Sequence, residues 1–110
     1  MHTIRLRSRW EIEPLEGNQV RCTRRFHQPT GLEASSRVWL VIDDIGAPGE
    51  ATLNGRLLGL IEGQEVTAAR FDITAHLQPG NVLAIRLASA QPLESVRLEI
   101  HDGVSEASAP

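Results

Sequence analysis

The chain has no lysine and no tyrosine, a single cysteine and only four aromatic residues, and each shortage removes a class of explanation. With Cys22 alone, no intrachain disulfide framework and no cysteine zinc cluster can form, so Cys22 reads as a small buried apolar residue. All 11 basic residues are arginine, interleaved with 14 acidic ones to a net charge of −3. A nucleic-acid partner would call for a basic stripe, which this pattern lacks. His2, His27, His76 and His101 are too scattered for metal-ligand spacing, and neither a metal nor a cofactor is expected. Met1 to Glu13 carries Arg5, Arg7, Arg9 and Glu11 with no uninterrupted apolar stretch, so it reads as neither signal peptide nor membrane span, and a cytoplasmic location is expected. The length, 110 residues, suffices to bury roughly two thirds of the unfolded surface in one core.

What is present is alternation. Ile4, Leu6, Ser8, Trp10 and Ile12 fall on one face and Arg5, Arg7, Arg9, Glu11 and Glu13 on the other, the two-residue period of a half-buried strand. After a turn at Glu16-Gly17-Asn18, Val20 to His27 alternates again, with Val20, Cys22 and Phe26 inward; Arg24 breaks the phase and predicts a bulge or a side chain reaching past the sheet into solvent. Pro29 to Ser36 is a polar connection. Arg37 to Asp43 is apolar on both faces, Val38, Leu40 and Ile42 on one and Trp39 and Val41 on the other, so a loop of the same domain or another subunit must cover the Trp39 face.

Asn54-Gly55 predicts a tight hairpin, since it supplies the positive φ angles of a two-residue turn. Glu65 to Ile73 reads as a strand with Thr67, Ala69, Phe71 and Ile73 in phase, followed by one turn of helix that Asp72 or Thr74 caps. Gln78-Pro79-Gly80-Asn81 fits a type II turn. Val82 to Leu87 and Val96 to Ile100 complete the strands, the last with Arg97, Glu99 and His101 facing out. Short strands, regular turn signals and almost no helical period predict an all-β chain, an antiparallel β-sandwich over residues 1–102 with a frayed tail over 103–110.

Four pieces follow in order and at close intervals: Arg37-Val-Trp-Leu, Leu53-Asn-Gly-Arg-Leu-Leu-Gly59, Phe71-Asp-Ile-Thr74 and Leu77-Gln-Pro-Gly-Asn-Val-Leu-Ala-Ile85. With the upstream Arg24-Arg-Phe-His-Gln-Pro29, the stretch resembles the N-terminal sugar-binding domain of glycoside hydrolase family 2, which includes β-galactosidases and β-glucuronidases. The resemblance implies a jelly-roll sandwich of the galactose-binding-like type. In that family the two catalytic glutamates lie in a separate barrel, so the resemblance carries no catalytic residue to this chain. Where the family tends to place aromatics after the glycines, this chain has Gly63-Gln-Glu-Val-Thr-Ala68, without a stacking platform.

The residues themselves show no catalytic constellation. A glycosidase needs two carboxyl groups roughly 5 to 9 Å apart across a cleft. Adjacent Asp43 and Asp44 point to opposite faces and read as a strand end and turn. The chain is therefore expected not to be an enzyme. Sugar recognition pairs an aromatic face with planar polar groups, and Trp39, with Arg37 and Asp43 on the same side of its strand, is the candidate. The competing expectation is an interaction module in which Trp39 and Val41 form an apolar patch. That patch would bind a second copy in a homodimer or a separate glycosidase subunit, and a third expectation is that the chain is itself a subunit or remnant of a split glycosidase.

Overall fold

The computed structural model describes residues 1–62 and 68–102, which form nine strands in two antiparallel sheets. The strands are β1 (His2–Arg5), β2 (Glu11–Pro14), β3 (Val20–His27), β4 (Ser36–Ile42), β5 (Gly49–Leu53), β6 (Arg56–Ile61), β7 (Ala69–Asp72), β8 (Gly80–Leu87) and β9 (Val96–Asp102). One sheet runs β1-β9-β4-β7 and the other β2-β3-β8-β5-β6. Setting aside β2, which is a hairpin addition to β3, the other eight strands have the paired order of a jelly roll. Among the described residues no helix is long and apolar enough to cross a membrane. The segment Gly63 to Thr67, where part of a strand is expected, and the expected frayed tail lie outside the described residues.

Alternation explains the core. Val20, Cys22 and Phe26 of β3 meet Val38, Leu40 and Ile42 of β4 between the sheets, with Leu83, Ile85 and Leu87 of β8 filling the middle. The Asn54-Gly55 turn joins β5 to β6 with φ of 51° and 83°, as its sequence predicts. Gly17, at φ 64°, turns β2 into β3. Burial pushes the Cys22 thiol pKa up, so the thiol is both hidden and protonated. Under native conditions a disulfide reagent is expected to label Cys22 only as fast as the sandwich opens, and labelling at the rate of a free thiol would contradict this packing.

Three expectations are corrected. The alternating run from Ile4 to Glu13 is not one strand: it crosses from β1 in one sheet to β2 in the other. Leu6 is buried, Trp10 is half-buried at the crossing, and Ile12 lies 59% exposed on an edge strand. Arg9 takes a left-handed φ of 66° at this corner, which period-two reasoning cannot show. Arg24 forms no bulge: β3 pairs with β8 in unbroken register, and the side chain stays on the inner face. There Nε donates to Ser8 O at 2.7 Å and Nη1 to Arg25 O at 3.0 Å. Gly80 has no positive φ, so the type II turn is absent; the Asn81 side chain bridges both main-chain groups of Gln78 instead.

Candidate functional site

Strand β4 turns Arg37, Trp39 and Val41 to the outer face of the four-stranded sheet, and the register sets their neighbours. Val41 lies between Arg97 on β9 and Arg70 on β7, and Trp39 between Glu99 and Asp72. Arg70 reaches across β4 to place Nη2 3.1 Å from Glu99 Oε1, with its guanidinium 5.5 Å from the centre of the Trp39 ring. Arg97 Nε donates to Glu99 Oε2 at 3.0 Å, and its Nη1 lies 3.7 Å from Asp43 Oδ2. His101 Nε2 lies 3.2 Å from Glu99 Oε1.

Among the described residues the Trp39 face carries an ion-pair layer of Arg70, Glu99 and Arg97 from the same sheet. Val41 is fully buried within the chain and contributes nothing to an exposed apolar patch. Trp39 keeps partial exposure, with one flank occupied by Arg70. Asp43 stands at the strand end, where its Oδ1 accepts the Asp44 N–H and Asp44 adopts φ 56°, the turn its sequence predicts.

Two polar locks account for the motif residues. Arg37 donates twice to Asp72 Oδ2, at 3.0 and 2.6 Å, while Asp72 Oδ1 accepts from the Thr74 main-chain N–H and hydroxyl. Thr74 Oγ1 in turn accepts the Val38 N–H at 2.8 Å, tying the 3₁₀ turn Thr74–His76 to β4. The cap position falls on Ile73, which makes no side-chain cap bond, so neither Asp72 nor Thr74 is the cap; Asp72, one residue earlier, holds the first N–H of the turn instead.

In the second lock Asn54 Nδ2 donates to Asn81 Oδ1 at 3.0 Å and Asn54 Oδ1 accepts the Val82 N–H at 2.8 Å. Asn81, 2% exposed, also bonds both main-chain groups of Gln78 and the carbonyl of Phe26. Buried amides with every group engaged fix loops to one geometry.

Burial works to raise the pKa of Glu99, but hydrogen bonds from Arg97, His101 and Arg70 outweigh it and hold the carboxyl below its ordinary range. Asp72 follows the same balance, partial burial opposed more strongly by Thr74 and Arg37. A carboxylate whose pKa is depressed on folding adds stability above its unfolded pKa, and that stability is lost as pH falls through the folded value. Denaturation midpoints are expected to be level near neutrality and to drop below about pH 4, the ordinary carboxylate range. Glu99→Gln should flatten that acid limb. An unchanged limb would mean that the Arg70–Glu99–Arg97 cluster contributes nothing.

Sequence reasoning missed the roles of Arg70, Arg97 and Glu99. Arg97 and Glu99 do face outward, but Glu99 is only 7% exposed because opposite charges two residues apart share a sheet face and close over each other. That spacing is the signal that was available. Among the described residues no three metal-ligating side chains come together.

The fold is similar to segments of three solved glycosidases. The chain is similar to part of an FMN-binding β-glucuronidase from Facaelibacterium prausnitzii L2-6, with 18% identity and a TM-score of 0.75, covering 90% of this chain and 22% of that one. It is also similar to the Bifidobacterium dentium β-glucuronidase complexed with coumarin-3-O-glucuronide, at 31% identity and a TM-score of 0.56 over 63% of this chain and 11% of that one. A rhamnosidase from Novosphingobium sp. PP1Y matches over 76% of this chain and 11% of its own, at 19% identity and a TM-score of 0.60. The chain thus spans less than a quarter of the length of each. No protein-family model and no curated protein matches it. The structural likeness agrees with the resemblance to the family 2 sugar-binding sandwich that the Arg37 to Leu87 motifs carry.

Proposed function

We propose that the sandwich is a non-catalytic carbohydrate-binding module. The observation that carries this reading is the likeness of nearly the whole described chain to a segment of a β-glucuronidase, reinforced by the 31% identity to a second one. The outer-face carboxyls support the non-catalytic half. Hydrolysis of a glycoside needs one carboxyl with a raised pKa to protonate the leaving group, whereas Asp72 is held low by Thr74 and Arg37, and Glu99 by Arg97, His101 and Arg70.

Calorimetric titration with methyl glycosides of glucose, galactose, rhamnose and glucuronic acid should give saturable heat in the millimolar range. Nitrophenyl glycosides of the same sugars should remain intact. Absence of heat with every sugar overturns binding, and release of nitrophenol by the purified chain overturns the non-catalytic half.

A second reading has its own observation. Edge strand β6 exposes Leu57 at 58% and Leu60 at 71%, an apolar rim on a strand with no second ladder neighbour among the described residues. This rim, and not Val41, suits a homodimer or a glycosidase subunit. Sedimentation at micromolar concentration should then show association that Leu60→Glu removes, and a monomer at every concentration would set aside the homodimer.

A further inference from the structure

The crossing between β1 and β2 forms a groove that the outer-face cluster does not touch. It is lined by Arg7, Ser8, Trp10 and Ile12 on one side and by Gln91 to Glu94 on the other, with a volume of about 360 Å³. That volume sits at the small end of the roughly 300 to 1,000 Å³ range of ligand sites.

The crossing is pinned at three points. The Leu6 N–H donates to Val96 O at 2.9 Å, Trp10 Nε1–H donates to Leu6 O at 2.7 Å, and Arg24 Nε donates to Ser8 O at 2.7 Å. These bonds fix the indole at the groove wall and hold Arg9 in its left-handed conformation, an arrangement that a non-glycine residue keeps only when its surroundings impose it. They also give Arg24 its reason for staying on the inner face of β3.

We infer that this groove is a pyranose-binding site, with Trp10 as the platform for the C–H face of the ring and Gln91, Glu94 and Arg7 as partners for its hydroxyls; the inference rests on the carbohydrate-binding reading above. Three observations favour it over the Trp39 face. Arg70 occupies a flank of Trp39, whereas Trp10 and the exposed Ile12 line an open groove. Arg7 and Glu94 have no hydrogen-bond or ion-pair partner among the described residues, and both are exposed at the groove. Gln91 lines the groove with its amide held in one orientation, Nε2 donating to Ser89 Oγ at 3.3 Å and Oε1 lying beside Gly46, which leaves the second amide N–H to donate. An aromatic wall beside planar polar groups is the combination a ring with one apolar face and equatorial hydroxyls requires.

The experiment is an NMR titration of the full chain with the methyl glycosides, following backbone amides and the indole N–H resonances of Trp10 and Trp39. Saturable shifts should concentrate at residues 7–12 and 91–94 and on the Trp10 indole. Trp10→Ala should weaken binding by about tenfold or more and Gln91→Ala by about two- to tenfold. Because Trp10→Ala removes a bond to Leu6 and can unsettle the crossing, Gln91→Ala and Glu94→Ala serve as variants that leave the indole anchor intact. If sugars bind but the shifts gather on Arg37, Trp39 and Arg70, the groove assignment is overturned and the carbohydrate reading stands. If no glycoside shifts any resonance, both fall.

Discussion

Gly49→Ala is expected to leave little folded protein, with a loss on the order of 3 kcal/mol or more. Gly49 opens β5 between Ile61 of β6 and Leu87 of β8. An added Cβ would stand well inside van der Waals contact of the Arg86 carbonyl oxygen and 2.9 Å from Leu87 Cδ2. The obstacle is ladder backbone, which cannot swing away as a long side chain can. Gly17→Ala is the matched control, since Gly17 has φ 64° but nothing within 4 Å of the added atom. It should lose only about 1 kcal/mol, the penalty of the left-handed conformation. Urea unfolding of the two variants separates the effects, and equal midpoints would refute the steric argument.

Asn81→Ala should destabilise by about 2 to 4 kcal/mol, read as a lower urea midpoint at unchanged slope. Truncation strands the Gln78 N–H, the Gln78 and Phe26 carbonyls and the Asn54 amide at once. Asn81→Asp keeps the shape and the acceptors but loses both amide donors and buries a charge, so it should not rescue. Asn54→Ala should lose less alone, and the double variant should lose less than the sum, with a coupling of about 0.5 to 3 kcal/mol. Strict additivity would mean that the two amides act independently, contrary to their 3.0 Å contact.

Period-two alternation located β3, β4, β8 and β9 and assigned their inner faces, because each strand has one side on the core throughout its length. It misread the first strand because alternation reports which side is apolar, not which sheet receives it. Ile4 and Ile12 keep phase while belonging to different sheets. Glycine and asparagine signals gave the Asn54-Gly55 hairpin directly. At Gly80 the same reasoning failed because a side chain substitutes for the main-chain turn bond, and its partners lie at Asn54 and Phe26, far away in sequence.

For the candidate site, the strand phase put Arg37 and Trp39 on one outer face with Asp43 at the strand end, as found. The partners that cap this face come from β7 and β9, and only the strand order brings them alongside. Trp10 shows the same limit. Read as a strand residue, it belongs to the core; held at a crossing, it becomes the wall of a groove.

The nesting of the sheets also dictates when the molecule can form during its own synthesis. Among the described residues His2 to Arg5 pair only with Arg97 to Ile100, and Val20 to His27 complete their second ladder with Gly80 to Leu87. On a translating ribosome the first strand therefore emerges nearly a hundred residues before its neighbour, with only the β2–β3 and β5–β6 hairpins able to close early. Pairings this distant fold in milliseconds to seconds. At about 5 to 20 residues per second the ribosome needs longer than that, so the nascent strands remain available to chaperones until β9 is released.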